Sequence, residues 1–428
     1  MLEKVREIVS ELQVSDYRIV EHTTVSHQAF FVKQELDQHR ISEATHTTLY
    51  VYMDSEKEGH KFRGEARKEI YPGESDEEIK KDIESLKYNA TLALSPYYEL
   101  VKDEAHYEEK ESADLVEKLK TVVDAMHSIE DTATEKINSY EIFVNEHYYH
   151  ICNSQGVDIS YNTLDEELEV IINSIDGDHE IELYHDVTFA DQPLEEIKEG
   201  ILEVFRYAKD RTAAVPTKKM LNTTVLLSGI DNKDFFQYFL FKSSTNGVFN
   251  RISQVKPGDP THEGETLGDK VTLEIKKELP YSSKNKPYSP DGNPARDLVI
   301  VEDGIYRSYW GEQKTGYYLG VENVTPANNF VVKGGNRTKA QMKQDPYLEI
   351  IQFSSFIMNP VTGSFGGEIR LGYYFDGEKR VPVTGGSITC KMSEALKNIY
   401  FSKETRQIDN CIVPETIQLF GVAVAGEE

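Results

Sequence analysis

The stretch TGSFGGEIRLGYYFDGEKRVPVTGG, residues 362–386, has the turn and strand pattern that decides the fold of the second half of the chain. A phosphate-binding loop would need Gly-x-x-x-x-Gly-Lys-Ser/Thr or Gly-x-Gly-x-x-Gly opening into a helix, and neither spacing is present. Apolar residues instead alternate as in a strand with one buried face: Ile369, Leu371 and Tyr373. Asp376-Gly377 is typical of a hairpin turn, and Val381 and Val383 resume the alternation. We therefore expect a β-ribbon here and not a ligand-binding loop.

The sequence before and after this ribbon divides into two parts of different character. In the first, Ser75 and Glu78 form a capping box that begins one of several amphipathic helices, and strands joined by short turns lie between the helices. Residues 209–222 are interpreted as a linker. Beyond them the chain is mostly strands, glycines and turns, with one buried helix expected over residues 234–242 and Pro/Gly-rich loops, such as residues 279–297, of the kind that frame sites.

This pattern predicts an α+β protein of two domains. The first is an N-terminal α/β-mixed domain with antiparallel strands, residues 1–212. The second is a mostly-β C-terminal domain, residues 213–428. A chain of 428 residues is long enough for both to have a substantial core.

The charge balance excludes some classes of partner. The formal net charge is −27, because 74 acidic residues face 47 basic ones. Nucleic-acid backbones and anionic membranes are bound by clustered Lys and Arg, so direct binding to either is not expected. No apolar run approaches the roughly 18 residues of a membrane span. The first residues, MLEKVREIVSELQ, predict an amphipathic helix and not a signal peptide, and three scattered cysteines do not make a disulfide framework, so we expect a cytoplasmic protein.

Residues with catalytic or metal-binding chemistry do not form a complete motif. His262-Glu263 begins a His-Glu-x-x-His zinc pattern that is never completed, and the surrounding Pro and Gly favour a surface loop. His147 and His150 lie three apart in a predicted strand, so their side chains are expected on opposite faces, as ordinary strand residues. Cys390 and Cys411 are most simply buried thiols. We therefore assign no catalytic, cofactor-binding or metal-binding residue.

Residues 347–390, which contain the ribbon, resemble the C-terminal signature of the TldD/PmbA (TldD/TldE) family, once described as modulators of DNA gyrase. The matching motifs are Thr362-Gly363-Ser364-Phe365, Gly372-Tyr373, Asp376-Gly377 and Pro382-Val383. Asn359 stands where the family usually has Asp. Three further segments resemble family elements in the same order: residues 298–320, 333–342 and 415–426.

The resemblance implies a function in proteolysis or peptide maturation. In this family of metallopeptidases a TldD-type subunit carries His-Glu-x-x-x-His and a later cysteine, while a PmbA/TldE-type subunit lacks that motif and pairs with the first. Here the corresponding register falls near residues 240–245, LFKSST, and no histidine occurs from residue 186 to residue 261. The resemblance therefore implies a PmbA/TldE-like, metal-free subunit, with zinc only on a TldD-type partner, a peptide as substrate, and loops 245–267 and 353–367 lining the peptide chamber.

Two other interpretations stay open at this point. The chain could be a non-catalytic homodimeric protein that binds peptides or acts as a scaffold. It could also be an active metallopeptidase with unconventional ligands, for which His262, Cys390 and Cys411 are the candidates.

Overall fold

The computed structural model describes residues 1–108 and 111–428, without the side chains of residues 105–108. The N-terminal half contains four helices among the described residues: α1 (Leu2–Glu11), α2 (Asp76–Leu92), α3 (Leu115–His127) and α4 (Leu194–Thr212). Its strands are β1 (Asp16–Val32), β2 (Glu35–Lys57), β3 (His60–Ile70), β4 (Leu94–Pro96), β5 (Ala105–Glu108), β6 (Glu135–Asn153), β7 (Asp158–Asp176) and β8 (His179–Phe189). They form one sheet in the order β4-β3-β2-β1-β6-β7-β5, in which β8 also pairs with β7. The antiparallel α+β pattern expected from the sequence is confirmed.

One face of this sheet is covered by the helices. Side chains alternate along a strand, so odd-numbered residues of β1 share a face. Ile19 packs with α1 and α2, and Ala29 packs with α3 and α4. The predicted capping box begins α2: the Ser75 hydroxyl accepts from the Glu78 N–H, and the Glu78 carboxylate accepts from the Ser75 N–H. The even-numbered residues of β1 therefore lie on the face that the helices leave uncovered.

The C-terminal half is built mostly of short strands. Its helices are α5 (Asn232–Lys242), α6 (Thr245–Phe249), α7 (Gln313–Tyr318), α8 (Lys339–Met342) and α9 (Met392–Ala395). Its strands are β9 (Val215–Pro216), β10 (Met220–Leu227), β11 (Leu273–Lys276), β12 (Leu298–Glu302), β13 (Ile305–Tyr306), β14 (Asn329–Val332), β15 (Tyr347–Asn359), β16 (Ser364–Phe375), β17 (Arg380–Thr384), β18 (Ser387–Lys391), β19 (Ile399–Phe401), β20 (Thr405–Ile408), β21 (Cys411–Pro414) and β22 (Ile417–Ala425).

These strands form two sheets that share one apolar core with α5. The first has the order β15-β10-β22-β18-β16-β17-β9, with β19 also paired to β22, and the second has the order β13-β12-β11-β14-β21-β20. Phe235, Phe236 and Phe239 of α5 are fully buried in this core. The buried helix expected over residues 234–242 is confirmed, and it begins two residues earlier.

The ribbon at residues 362–386 is a pair of strands, as expected. β16 pairs antiparallel with β17 from Gly372↔Val383 to Phe375↔Arg380. The carboxylate of Asp376 accepts from the N–H groups of Glu378 and Lys379, each at 2.8 Å, which closes the turn. Local turn chemistry and alternation were sufficient to predict this element.

The interpretation of residues 209–222 as a linker is wrong for most of that segment. Its first four residues are the last turn of α4, Val215 pairs with Val383 of β17, and Met220 begins β10. Lys and Pro suit an exposed edge strand as well as a linker, and the local sequence does not distinguish the two. The division of the chain into domains at residues 212 and 213 stays a prediction.

The two halves contact each other through several segments. On one side, Tyr207 of α4 packs with Ile351, and Asp210 accepts from the Tyr373 hydroxyl. On the other, residues 279–297 cross the uncovered face of the N-terminal sheet, where Asp291 forms an ion pair with Arg18. Among the helices that the structure describes, none is long and apolar enough to cross a membrane.

We predict that Phe236→Ala destabilises the C-terminal half by about 3–5 kcal/mol, because it removes a fully buried ring and leaves a cavity. The measurement is urea unfolding followed by the fluorescence of the single tryptophan, Trp310, which packs against the same core. Leu267→Ala is the control, because Leu267 is 72% exposed and its loss is expected to change stability by about 0.5 kcal/mol or less. Equal midpoints for the two variants would contradict this account of the core.

Candidate functional site

A cleft of about 790 Å³ lies between the two halves of the chain. Its N-terminal wall comes from β8 and α4, and its C-terminal wall from residues 229–234, β15 and β20. Acidic side chains outnumber basic ones in the lining. The acids are Asp186, Glu196, Glu199, Glu203, Asp231, Asp234, Asp409 and Glu415, and the bases are Arg206, Lys233 and Arg406. A cleft between domains is a usual place for a ligand site.

The start of α5 is held against the floor of this cleft. A Cβ on Gly229 would lie 1.9 Å from the carbonyl oxygen of Ile351, so only glycine allows this approach to β15. The buried amide of Asn232 donates to the carbonyl oxygens of Leu227 and Glu415, each at 3.0 Å. These contacts fix Asp231, which immediately precedes the helix, at the cleft wall.

Burial changes the protonation of two groups in the cleft. It raises the pKa of Asp231 to about 6, although the N–H of Phe353 donates to the carboxylate at 3.4 Å and opposes the shift. Burial also lowers the pKa of His185. Near neutral pH the cleft therefore combines a neutral imidazole with a carboxyl group that takes up a proton in mild acid. Such groups can exchange hydrogen bonds with the polar backbone of a ligand.

Sequence reasoning did not single out Asp231 or His185. A signal for Asp231 was present, because Asp before an apolar helical segment is typical of an N-cap. No local pattern places His185 in the same cleft, because that requires the packing of β8 against the second half of the chain. The cleft therefore forms only where the two halves of the chain meet.

The segment in the expected zinc register, residues 240–245, does not fit a zinc ion. It spans the end of α5 and the start of α6 and offers no imidazole, carboxylate or thiolate, which are the ligands zinc uses. The Ser243 hydroxyl donates to the Phe239 carbonyl at 2.9 Å, and the Thr245 and Thr315 hydroxyls are hydrogen-bonded to each other at 2.7 Å. The Leu240 carbonyl accepts from the Trp310 indole N–H at 2.7 Å. These polar groups are bonded within the protein.

The alternative ligands His262, Cys390 and Cys411 occupy separate places. His262 lines a second cavity of about 370 Å³. Cys390 lies on β18 opposite Phe365, whereas Cys411 is fully buried with its thiol donating to the Ile408 carbonyl at 3.2 Å. Burial raises the pKa of Cys390 to about 11 and that of Cys411 to about 12, which disfavours the thiolate a metal needs. Among the side chains that the structure describes, no group of three or more His, Cys, Asp or Glu is placed to hold a metal.

His147 and His150 are on β6, and the structure does not bring them together. His150 Nε2 donates to Asp158 at 2.8 Å, on the face where Asp158 also contacts Arg6 of α1. His147 instead lies 3.0 Å from His22, on the other face. The sequence analysis missed His22, because only the pairing of β1 with β6 brings these histidines together.

The two loops expected to line a peptide chamber have regular structure in part. Residues 245–267 begin with α6, and residues 260–262 and 264–267 line the second cavity. Residues 353–367 are the hairpin of β15 and β16, and the large cleft is lined by Ile351 and Gln352, just before it. Their role in a chamber stays a prediction.

Comparison with known proteins identifies the C-terminal half. Residues 224–426 match the family model described as "PmbA/TldA metallopeptidase C-terminal domain". An uncharacterized protein of Methanocaldococcus jannaschii is 23% identical over 166 residues, which are 36% of this chain and 39% of that protein. The aligned region thus spans less than half the length of this curated relative.

Solved structures share the fold of the whole chain. TldE from Thermococcus kodakarensis aligns with a TM-score of 0.76 and 17% sequence identity, and the alignment covers 100% of both chains. A candidate modulator of a DNA gyrase from Thermotoga maritima has a TM-score of 0.75 and 16% identity, covering 99% of this chain and 100% of its own. A similarly described protein from Bacteroides thetaiotaomicron has a TM-score of 0.74 and 13% identity, covering 99% and 98%. At these identities the likeness shows the fold alone.

We predict that Asp231→Asn stabilises the protein above pH 6. The pKa of Asp231 is about 6 in the folded protein and near 3.8 in the unfolded chain. Between these two pH values folding takes up a proton, so the folded protein becomes less stable as the pH rises from about 3.8 to about 6. A difference of about two pKa units corresponds to about 3 kcal/mol, which is an upper bound for the gain.

The measurement is the free energy of unfolding at pH 4 and at pH 7.5 for the wild type and the variant. The exposed Asp345→Asn is the control, because it removes the same charge outside the cleft. A gain from Asp231→Asn that is the same at both pH values would refute the effect of burial on this carboxyl group.

Proposed function

We propose, from the premise that this chain belongs to the TldD/PmbA family, that it is the metal-free, PmbA/TldE-like subunit of a two-subunit metallopeptidase. The complex would act in proteolysis or peptide maturation. Zinc would be held only by a TldD-type partner that carries His-Glu-x-x-x-His. This chain would form one wall of the chamber in which a peptide is held.

The observation that carries the proposal is the donor set at residues 240–245. A zinc peptidase needs ligands for the metal and a base beside it to activate water. At this register the side chains are Leu240, Phe241, Lys242, Ser243, Ser244 and Thr245, and the hydroxyls of Ser243, Ser244 and Thr245 are engaged in hydrogen bonds that hold α5, α6 and α7 together. The segment serves packing, so hydrolysis would depend on a second subunit.

The N-terminal sheet supports a role in holding an extended peptide. Among the described strands, residues 35–46 of β2 pair only with β1, because β3 pairs with β2 from Thr47 onward. The backbone of this edge is available to a further strand, which is how many proteins bind extended peptides. Leu36 and Ile41 are exposed along it and would contact the side chains of the added strand.

A homodimeric peptide-binding or scaffold protein is the second candidate, because the edge of β2 would serve that role without any partner. Modulation of DNA gyrase, after which some relatives are named, would not act through DNA contact, since a net charge of −27 opposes binding to phosphate backbones.

We predict that the chain purified alone contains almost no zinc and has no peptidase activity, and that co-expression with a His-Glu-x-x-x-His paralogue gives a stable complex with both. The measurements are elemental analysis of tag-free protein, co-purification, and cleavage of unstructured peptides. About one zinc per chain in the isolated protein would overturn the proposal.

The control is a Glu→Gln variant of the paralogue's zinc motif, which should keep the complex and abolish cleavage. A chain that stays a homodimer beside the paralogue, and binds peptides on its own, would favour the second candidate instead.

A further inference from the structure

Two imidazoles and a carboxylate form a chain of hydrogen bonds on the uncovered face of the N-terminal sheet. His147 Nε2 lies 2.5 Å from an oxygen of Asp165, and His147 Nδ1 lies 3.0 Å from His22 Nε2. The Thr24 hydroxyl contacts both histidines, at 3.1 Å and 3.3 Å. β1, β6 and β7 each contribute to the chain, so it depends on the register of three strands.

The carboxylate determines the direction of these hydrogen bonds. Because the Asp165 carboxylate only accepts, His147 Nε2 must carry a hydrogen and the neutral ring has its lone pair at Nδ1. His22 Nε2 then donates to that lone pair. The second nitrogen of His22, Nδ1, is the end of this series of hydrogen bonds. It can accept a proton while the hydrogen bond from His22 Nε2 to His147 is kept.

A lysine from the C-terminal half contacts the tyrosine that stacks on His22. Lys286, in the Pro/Gly-rich loop of residues 279–297, donates from Nζ to the Tyr149 hydroxyl at 2.9 Å, and Tyr149 stacks on His22 with ring centroids 4.3 Å apart. In the part of the chain that the structure describes, no carboxylate lies within 4.0 Å of the Lys286 ammonium group. Lys286 is partly buried, and among the described residues the hydrogen-bond partner of its ammonium group is the Tyr149 hydroxyl, so its positive charge is not neutralised by a neighbouring acid.

Burial and nearby positive charge both disfavour protonation of His22. Burial is the main cause that lowers the pKa of His22 to about 4; the charge of Lys286 acts in the same direction, and the Asp165 carboxylate opposes the shift. Hydrogen bonds from His147 and Asn145 keep Asp165 ionised despite its burial, by lowering its pKa. His147 and Tyr149 on β6, His46 on β2, Asp165 on β7 and Lys286 on the loop are thus the titratable groups that face His22.

We propose that Lys286, Tyr149 and His22 bind a carboxylate group of a peptide. The ammonium group of Lys286 and the hydroxyl of Tyr149 would donate to one carboxylate oxygen, and His22, protonated from solvent at Nδ1, would donate to the other. The groups present favour a carboxylate as the ligand. Lys286 supplies one permanent positive charge and His22 can gain a proton, and together they match the single negative charge and two oxygens of a carboxylate. That the carboxylate belongs to a peptide rests on the proposed function.

The site makes binding pH-dependent in a defined direction. An anion close to His22 opposes the effect of Lys286 and raises the pKa of the imidazole by about 1–3 units. Binding therefore takes up a proton, and affinity should increase as the pH falls from about 6.5 to about 4.5. The hydrogen bond to His147 is unchanged by this uptake, because His147 already presents its lone pair.

The test is calorimetric titration of the purified full chain with three probes: N-acetyl-trialanine, its C-terminal amide, and an amidated N-acetyl-Ala-Glu-Ala. The first should bind, more tightly at pH 5 than at pH 7, and the amide should not. Binding of the third probe but not the first would assign the site to an acidic side chain instead of a C-terminus, and either result supports a peptide carboxylate. Equal binding of the trialanine acid and its amide would overturn the proposal.

Lys286→Met should weaken binding about 10- to 100-fold, the effect of losing a charge-assisted hydrogen bond. Lys403→Met is the matched control, since Lys403 is exposed and distant in the fold, and it should leave binding unchanged. His22→Asn should keep binding at pH 7 and lose the increase at pH 5. An NMR titration should show the pKa of His22, assigned with this variant, rising when the probe is added.

Inorganic phosphate that binds as tightly as the peptides, with the same loss in Lys286→Met, would show a site for free anions and overturn the peptide assignment. All of these measurements use this chain alone. Failure to find a metallopeptidase partner would therefore leave the carboxylate result unaffected, and failure to bind carboxylates would leave the partner experiment unaffected.

Discussion

The packing of α5 between the two C-terminal sheets is the constraint on which the rest of the C-terminal half depends. Three phenylalanines on this helix are fully buried, and exposing them would cost about 1.5–3 kcal/mol for each side chain. Its first turn therefore holds Asp231 at the cleft between the two halves. Its last turn holds residues 240–245 against Trp310 and α7, where hydroxyl groups complete the packing.

This arrangement gives the two ends of one helix different roles. At the start of α5, Asp231 lies near other acidic side chains, and burial raises its pKa to about 6. At the end, the segment that would have to carry zinc ligands contributes only short polar side chains bonded within the protein. A change at residues 240–245 alone would not create a zinc site, because these side chains hold α5, α6 and α7 in place.

The two faces of the N-terminal sheet differ: one packs against helices, and the other carries polar side chains. The helices cover the odd-numbered residues of β1, and these contacts supply the core. The even-numbered residues are free to carry polar groups, and the loop at residues 279–297 crosses them from the other half of the chain. Lys286 in that loop brings positive charge to an otherwise acidic molecule, next to His22 and Tyr149.

Local patterns in the sequence predicted the α+β class, the ribbon of β16 and β17, the capping box at Ser75 and the buried helix α5, because alternation, turn chemistry and helix periodicity act over a few residues. The motifs in the same ribbon also pointed to the family. The tertiary structure decided what these patterns could not: the strand pairing of residues 209–222, the cleft around Asp231, and the meeting of His22, His147 and Lys286. Those features depend on the register of long strands and on contacts between residues more than 100 positions apart, and the free energy of such contacts comes from burial that no local stretch of sequence specifies.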